Sequence, residues 1–395
     1  MRLLPGLLGL ASLAVPSLAC AAEAPKGLIL ESRLRYETVS QDGFSKDAQA
    51  VTLRTRLGYE TPAFHGFKAL VEGENVTALS DRYNSSTNGR TAYPLVTDPE
   101  TTELNRAQVS WTGTQGEAVV GRQRLILNNA RFVGNVGFRQ NEQTFDAAKL
   151  VYRPSPKVSV TYAYIDKVHR IFGEDHPQGN WRSDSHLAQL DAKTSLGQVS
   201  AYGYLLDFAN APTQSSATWG ARLTGSRPLN AGLSATYEAE YARQTDYRNS
   251  PTSFDLDYIA LSAGLKTKTN AVALGFEQLD GDGRRGFSTP LATLHAYQGW
   301  ADVFLTTPAN GVRDLSLTGS SVLKGPHGKP LKIQASLHQF DDADGGADLG
   351  RELDASVSMP LTAKLGAELK VAAFQGDRPA FPDRTKIWLT LEFKL

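Results

Sequence analysis

The side chains with the clearest capacity for chemistry are arginines that stand two residues apart. Three such pairs occur early in the chain: Arg33 with Arg35, Arg54 with Arg56, and Arg122 with Arg124. Side chains at alternate positions of a strand point to the same face, so each pair would present two guanidinium groups together. Guanidinium groups bind carboxylates in a fixed geometry, and rings of Arg or Lys in a pore select anions. The spacing therefore predicts an anion-binding face, which Arg106 and Lys149 extend, if these segments are strands.

Metal and nucleophile chemistry show no comparable pattern. The seven histidines are scattered, and no two have metal-ligand spacing with further ligands nearby. Asp341, Gly346 and Glu352 match three positions of a calcium loop, but two other ligand positions hold Ala343 and Gly345. A Ser–His nucleophile has no local signature here. We therefore expect no cofactor, no metal and no enzymatic activity.

The composition excludes several classes of protein. The 395 residues include 41 basic and 41 acidic side chains, so the chain lacks the basic excess of a nucleic-acid-binding protein. One cysteine cannot build a disulfide scaffold. Beyond residue 20, no apolar stretch is long enough for a transmembrane helix. What remains is a large, ordered protein rich in Gly and Tyr.

The first 22 residues are typical of a secretory signal peptide. A positive N-terminus precedes an apolar core over residues 3–15, and small residues follow. We expect cleavage at Ala22, which would remove Cys20; the alternative is a lipoprotein that keeps Cys20 as its first residue. The mature chain, residues 23–395, is then expected to be a single domain.

From Gly27 onward, apolar and polar side chains alternate strictly. In the first segment, one face carries Leu34 and Tyr36 while the other carries Arg33 and Arg35. Alternation of this kind predicts strands with one apolar and one wet face. About 18 such segments of roughly 9 to 13 residues can be counted, 16 being possible, and this is the length of a tilted membrane strand.

The connections between these segments alternate between short and long. Short ones lie at residues 61–65, 113–116, 154–157, 195–197, 228–231, 268–270, 325–329 and 360–363, and long ones at 38–48, 80–102, 128–143, 172–185, 209–215, 246–253, 281–311, 341–347 and 376–383. Outer-membrane barrels have this parity, with tight periplasmic turns and longer extracellular loops. A soluble sandwich also alternates along each strand, but so many consecutive long strands favour an all-β, transmembrane, antiparallel up-and-down barrel.

In such a barrel the apolar face meets lipid and the charged face lines an aqueous lumen. The predicted inner wall of the early strands carries Arg33, Arg35, Arg54, Arg56, Arg106, Arg122, Arg124 and Lys149. Placing Arg122 inward leaves Gln123 toward lipid. The inner wall of the later strands is more acidic, which would set up a field across the pore. Two interpretations stay open, because the arginines either select anions or pair with neighbouring carboxylates and stiffen the wall.

One long connection interrupts the alternation near residues 128–143. It is rich in Gly and Asn and contains Arg131, Arg139 and Glu142. Loops of this length are commonly functional. Folded inward, this one would form a constriction with those three side chains as its charged residues.

Two stretches carry a resemblance to a known family. The segments GRQRLILNNARFVGNVGFRQNEQTFDA and HQFDDADGGADLGRELD resemble the alginate-export-like family of bacterial outer-membrane β-barrel porins, and the similarity extends over the mature chain. The resemblance implies a monomeric barrel of about 18 strands with an arginine-lined pore for an acidic polysaccharide. It assigns Arg122, Arg124, Arg131 and Arg139 to that pore.

The sequence as a whole predicts an integral protein of the Gram-negative outer membrane. We expect a porin-type channel for the passive passage of small hydrophilic, anionic solutes. Its expected partners are outer-membrane lipid, lipopolysaccharide and the solute, without nucleic acid. The alternatives are an export pore for an acidic polysaccharide such as alginate and, from another class, a hydrolase embedded in the barrel.

Overall fold

The computed structural model describes residues 26–395, and the predicted signal peptide lies outside this range. Within it the chain forms strands β1 to β18: Leu28–Gln41, Ala48–Glu60, Phe67–Ala78, Thr101–Thr112, Gly116–Gln123, Thr144–Ser155, Val158–His169, Asn180–Thr194, Gly197–Leu206, Ser216–Asn230, Leu233–Asp246, Asp255–Lys266, Asn270–Leu279, Val312–Lys324, Pro330–Asp341, Asp348–Pro360, Leu365–Gly376 and Arg384–Lys394. One-turn 3-10 helices occur at Pro212–Gln214, Leu294–Ala296 and Pro326–Gly328. No helix of residues 26–395 is long and apolar enough to cross a membrane.

The strands form one closed antiparallel sheet. Each strand pairs with its neighbours along the chain, and β1 closes the ring by pairing with β18 as well as with β2. Closure pairs every strand edge, which a sheet needs in lipid because no water is present to bond the backbone. The predicted up-and-down barrel is confirmed, with 18 strands rather than 16.

The connections alternate as predicted. Nine long ones, numbered here loops 1 to 9, lie at residues 42–47, 79–100, 124–143, 170–179, 207–215, 247–254, 280–311, 342–347 and 377–383. The eight short ones lie at 61–66, 113–115, 156–157, 195–196, 231–232, 267–269, 325–329 and 361–364. Because successive strands run in opposite directions, all the loops emerge at one end of the barrel and all the short turns at the other.

Apolar side chains point outward along the strands and polar ones point inward. Val71, Val120 and Leu353 are 57%, 60% and 50% exposed on the outer surface, whereas Glu72 and Asp354 on the inner face are fully buried. An apolar outside around a polar inside is the arrangement of a barrel that spans a membrane. The polar side chains of the strands are therefore gathered on the inner face.

Loops 3 and 7 fold into the lumen and build the main hydrophobic core there. Phe132 of loop 3 packs against Tyr202 and Tyr258 of the barrel wall and against Phe287 of loop 7. These rings belong to a cluster of buried residues at the loop end of the barrel. Burial of apolar surface thus holds both loops inside, and the inward folding predicted for loop 3 is observed.

Candidate functional site

The first arginines lie on the inner face at the seam where the barrel closes. Arg33 of β1 stands opposite Arg54 of β2 on one side and opposite Glu392 of β18 on the other. The Glu392 carboxylate accepts hydrogen bonds from Arg33 Nη2 at 2.9 Å and from Arg54 Nη2 at 3.2 Å. One carboxylate therefore holds two guanidinium groups together. Arg54 is fully buried, and its Nε and Nη1 have no hydrogen-bond partner.

Arg35 and Arg56 continue this row and join it to loop 3. Arg35 Nη1 donates to the backbone oxygen of Phe138 at 2.7 Å, and its guanidinium lies 4.4 Å from the centre of the Phe138 ring. Arg56 forms an ion pair with Glu74 of β3 and lies 3.4 Å from Glu142 of loop 3. Loop 3 is thus held against the arginine-bearing strands by both charge and ring contact.

Glu142 also links this row to the next two arginines. Its carboxylate accepts from Arg124 at the start of loop 3, with Nε at 2.7 Å, while Arg106 of β4 pairs with Glu72 of β3 at 2.6 Å. Burial alone would raise the pKa of Glu142, but Arg56 and Arg124 outweigh burial and lower the pKa to about 2. Glu142 is therefore ionised and acts as the anionic centre of this part of the lumen.

Lys149 lies on the inner face of β6, away from the arginine cluster. Its ammonium group is 2.7 Å from Glu117 of β5. The Lys149 side chain is 23% exposed, Arg124 27% and Arg33 13%. These three basic side chains therefore keep contact with solvent, although each has a carboxylate partner.

The register of β5 differs from the expected one. Val119 and Gln123 are 6% and 2% exposed, whereas Val120 between them is 60% exposed. Arg122 therefore shares the outer face with Val120, and it pairs at 2.8 Å with Asp146 of β6. Gln123 points inward and donates to the backbone oxygen of Val119. Arg122 was expected on the inner face of β5 and lies on the outer face. The alternation does not distinguish the two faces here, because near the loop end of a strand both faces can be polar.

Arg131 connects loop 3 to loop 7 and to the opposite wall. The side chain is 1% exposed, and its Nε lies 2.5 Å from the Glu277 carboxylate of β13. Nη1 donates to the Thr289 hydroxyl of loop 7 at 3.0 Å, and the guanidinium lies 4.7 Å from the ring centre of Tyr297. Arg131 therefore fixes the position of both loops in the lumen.

Arg139 lies at a buried network centred on Asp302 of loop 7. One Asp302 carboxylate oxygen accepts from Arg139 at 3.0 Å and from Lys386 of β18 at 2.6 Å. Arg139 also lies 3.1 Å from Glu37 of β1, and Lys386 lies 3.4 Å from the same carboxylate. We call these residues, together with His295 and Lys370, the Asp302 network.

His295 occupies the other carboxylate oxygen of Asp302. His295 Nδ1 lies 2.7 Å from this oxygen, and His295 Nε2 lies 2.7 Å from the ammonium of Lys370 on β17. Burial lowers the pKa of His295 to about 3, so the ring is neutral and can donate from Nδ1 while accepting at Nε2. Burial opposes ionisation of Asp302, but His295, Lys386 and Arg139 hold the pKa of Asp302 well below its usual range.

The sequence did not reveal the residues at the centre of this network. Asp302 and His295 lie in the longest loop, and no local spacing links them to Arg139 or Lys386. The period-two pattern places Lys386 on the inner face. The pattern therefore indicates that the Lys386 ammonium group needs a buried partner. It does not say which loop supplies that partner.

A cavity of about 410 Å³ lies in the lumen between loop 7 and the inner face of β10 to β15. Residues 296–300 of loop 7 line one part of it, including the rings of Tyr297 and Trp300. The barrel wall contributes the hydroxyl groups of Ser262, Ser316, Thr318 and Ser336. In residues 26–395, no group of three or more His, Cys, Asp or Glu side chains is arranged to hold a metal ion.

No family model and no curated protein matches the sequence. Solved structures do match the fold. OccK9 (OpdG) of Pseudomonas aeruginosa is 15% identical with a TM-score of 0.73, and 93% of this chain and 98% of that chain are covered. OccAB3 of Acinetobacter baumannii is 13% identical with a TM-score of 0.72 and the same coverage.

A third similar structure is OccK2 (OpdF) of Pseudomonas aeruginosa, solved in complex with glucuronate. It is 13% identical, has a TM-score of 0.69 and covers 93% of this chain and 98% of its own. These neighbours are Occ/OprD outer-membrane porins with an 18-stranded barrel. At this level of identity the likeness shows the fold, and what passes through the lumen must be argued from this chain's own residues.

Proposed function

We propose that the protein is a channel of the bacterial outer membrane through which small hydrophilic anions diffuse along the arginine-bearing side of the lumen. The observation that carries this proposal is a closed barrel with an apolar outer face and an inner wall on which arginines follow one another. Arg33, Arg54, Arg56, Arg106 and Arg124 stand on neighbouring strands or at their ends. A solute carboxylate could therefore meet those guanidinium groups of this wall that reach solvent, such as those of Arg33 and Arg124.

Both interpretations of these arginines have support. Pairing with carboxylates is extensive, which favours a stiffening role, as in the shared contact of Glu392 with Arg33 and Arg54. The exposed parts of Arg33, Arg124 and Lys149 favour an additional role in selecting solutes, because these cations face the lumen. An arginine can bind a second carboxylate through nitrogens that its first partner leaves free.

The glucuronate complex of OccK2 gives independent support. That neighbour, which has a similar fold, was solved in complex with glucuronate, a small carboxylate. An anionic solute is also what the arginine row in this chain would attract. We therefore place small carboxylates ahead of cations as the solutes of this channel.

Replacing Arg33 and Arg124 by glutamine tests the proposal directly. Both side chains reach the lumen, so their loss removes accessible positive charge at a lower structural cost than loss of the buried Arg54. In a planar bilayer with a potassium chloride gradient, the double variant should lose several-fold in chloride preference relative to the unmodified protein. The matched control is Arg243→Gln, because Arg243 is 58% exposed and pairs with Asp255 on the outer side of the barrel. An unchanged reversal potential in the double variant would show that these arginines are only structural.

The resemblance to the alginate-export-like family supports a second candidate, an export pore for an acidic polysaccharide. A polyuronate presents a row of carboxylates that the arginines of neighbouring strands could bind in succession. Loops 3 and 7 lie in the lumen, so the polymer would have to thread past them. Short alginate oligomers should then block the chloride current at lower concentration than neutral dextrans of equal length, and equal block would contradict this candidate.

We propose that the channel is exported by a cleaved signal peptide and acts as a monomer, with lipid and lipopolysaccharide around the barrel. It carries out passage rather than chemistry. Lipase and protease assays on the purified protein test the embedded-hydrolase alternative, since activity that survives removal of contaminants would support an enzyme.

A further inference from the structure

The outer surface of the barrel carries a groove on the loop side of its apolar band. The groove has a volume of about 530 Å³ and crosses strands β13 to β17. Its floor, which we call the leucine row, consists of side chains that stand opposite one another on these five strands: Leu274, Leu317, Leu337, Leu353 and Ala373. The four leucines are each about half exposed, and the row ends at the small side chain of Ala373. A continuous apolar groove of this kind fits a hydrocarbon chain.

The next row of outward side chains, closer to the loops, is mostly polar. It consists of Leu315, Gln339, Arg351 and Gln375, which again stand opposite one another on β14 to β17. The long loops of an outer-membrane barrel are extracellular. This change from leucine to polar side chains therefore marks the boundary between the acyl chains and the headgroups of the outer leaflet. Arg351 stands at the depth of the lipid phosphates.

The Arg351 guanidinium has a neutral partner. Its Nε and Nη2 donate to the side-chain oxygen of Gln375 at 3.0 and 2.8 Å, and Arg351 forms no ion pair within residues 26–395. The carboxylate of Asp348, which lies closer to the loops, accepts instead from Gln339 at 3.0 Å. A guanidinium has five N–H groups, so most of those on Arg351 stay available for a further acceptor.

Other outward arginines at this end of the barrel differ from Arg351 in their partners. Arg243 of β11 pairs with the carboxylate of Asp255 on the neighbouring strand. Arg313 of β14 lies closer to the loops than the groove and donates to two neutral oxygens, one from a glutamine side chain and one from the backbone. A cation beside lipid without a carboxylate favours an anion from the lipid itself. Phosphate is the lipid anion whose geometry a guanidinium matches best.

We propose that this groove binds one phosphorylated lipid of the outer leaflet, with an acyl chain along the leucine row and a phosphate on Arg351. The phosphorylated lipid of that leaflet is lipopolysaccharide, whose lipid A part joins acyl chains and phosphates on one sugar backbone. Arg313 lies on the headgroup side of the groove and adds positive charge there. The site is on the outer surface, so it does not depend on which solutes pass through the lumen.

Titration of the purified barrel in detergent with lipid A tests the site. Native mass spectrometry counts the bound lipids and gives the Kd of each. We expect one lipid A molecule to bind about tenfold more tightly than lipid A whose phosphates have been removed, which corresponds to one charge-assisted hydrogen bond. Inorganic phosphate should not compete at equal concentration, because it has no acyl chain. Equal affinity for the two forms of lipid A, or tighter binding of phosphatidylglycerol than of lipid A, would overturn the proposal.

Two variants separate the phosphate contact from the acyl contact. Arg351→Gln should weaken binding of lipid A about tenfold and leave the dephosphorylated form unchanged. Its matched control is Arg243→Gln, which removes the same charge from the same outer surface but from an arginine that already has a carboxylate. Ala373→Phe should fill the end of the groove and weaken both forms alike, whereas Ala188→Phe, at an exposed outward position of β8, should not.

The same spectra reveal whether something else occupies the groove. Lipid A affinity that is unchanged in Arg351→Gln or in Ala373→Phe would overturn the site. Dimers of the barrel that lipid A does not dissociate, and that Ala373→Phe abolishes, would show that a second copy of the chain covers the groove, and would also overturn it.

Discussion

At the scale of single residues, Asp302 holds the two lumen loops and the barrel wall together. Its carboxylate meets Arg139 from loop 3, Lys386 from β18 and His295 from its own loop. Removing one member of a buried ion pair leaves an uncompensated charge and costs roughly 3–5 kcal/mol. The role of Asp302 is to make loop 3 and loop 7 one rigid body with the barrel.

Asp302→Asn should therefore lower the thermal unfolding midpoint and increase the noise of the open-channel current. Arg139 and Lys386 would keep only Glu37 as a shared anion, and the two loops would move more freely. The control is Asp344→Asn in loop 8, where the side chain is exposed. A midpoint equal to that of the control would contradict the role given to Asp302.

His295 predicts a pH dependence of stability. Burial lowers its pKa from 6.5 to about 3 in the folded protein, so the unfolded chain takes up the proton first as the pH falls. The contribution of neutral His295 is thus complete above about pH 6.5 and is lost between about pH 6.5 and pH 3, at about 1.4 kcal/mol per pH unit. Denaturant unfolding at pH 7 and pH 5 should show this loss, and His295→Gln should reduce it. Identical pH slopes in the two proteins would rule out His295 as the source.

The orientation of several arginines could be predicted from the sequence. The alternation correctly places four arginines on the inner face, because the outer surface of their strands is apolar. They are Arg33, Arg35, Arg54 and Arg56. The outward orientation of Arg122 could not be predicted from the alternation. Arg122 is near the loop end of β5, where side-chain polarity no longer distinguishes the inner face from the outer face. The role of Asp302 could not be predicted from the sequence, because Arg139 and Lys386 are 163 and 84 residues away from it along the chain.

At the scale of elements, the strands and their connections follow from the period-two pattern and the turn residues. The differences are at the loop ends, as in β1, which extends to Gln41 although a loop was expected from Thr38 onward. There the strand continues through polar residues and through Val39, an apolar side chain buried on the inner face, and it is held by ladder pairing with β18. Hydrophobic alternation cannot mark the end of such a strand.

The register of β5 is testable by labelling single cysteines. Val119→Cys and Val120→Cys form a matched pair one residue apart, and the native side chains are 6% and 60% exposed. An environment-sensitive dye on residue 120 should be quenched by brominated lipid, and the dye on residue 119 should not. The reverse pattern would restore the register that places Arg122 inward.

At the scale of the whole molecule, the balance of 41 basic and 41 acidic side chains reflects local pairing. The sequence suggested an arginine wall facing an acidic wall. In the structure, Glu72, Glu74 and Glu392 stand among the arginines, and Lys370 and Lys386 stand among the acids of the later strands. The field across the lumen is therefore set by the few charges that remain exposed, such as Arg124.

The molecule as a whole combines an 18-stranded barrel with a lumen narrowed by two anchored loops. Barrels of this size leave an aqueous channel unless loops fill it. Loops 3 and 7 are held by buried charges and by an aromatic core, so they restrict the passage without needing a separate plug. We propose that the space left beside them is an open, anion-preferring path.

Single-channel recording of the unmodified protein in a planar bilayer under a potassium chloride gradient tests whether this path exists and prefers anions. We expect a steady open-channel current whose reversal potential lies toward the equilibrium potential of chloride. A protein that inserts but carries no current, or a reversal potential on the potassium side, would contradict it.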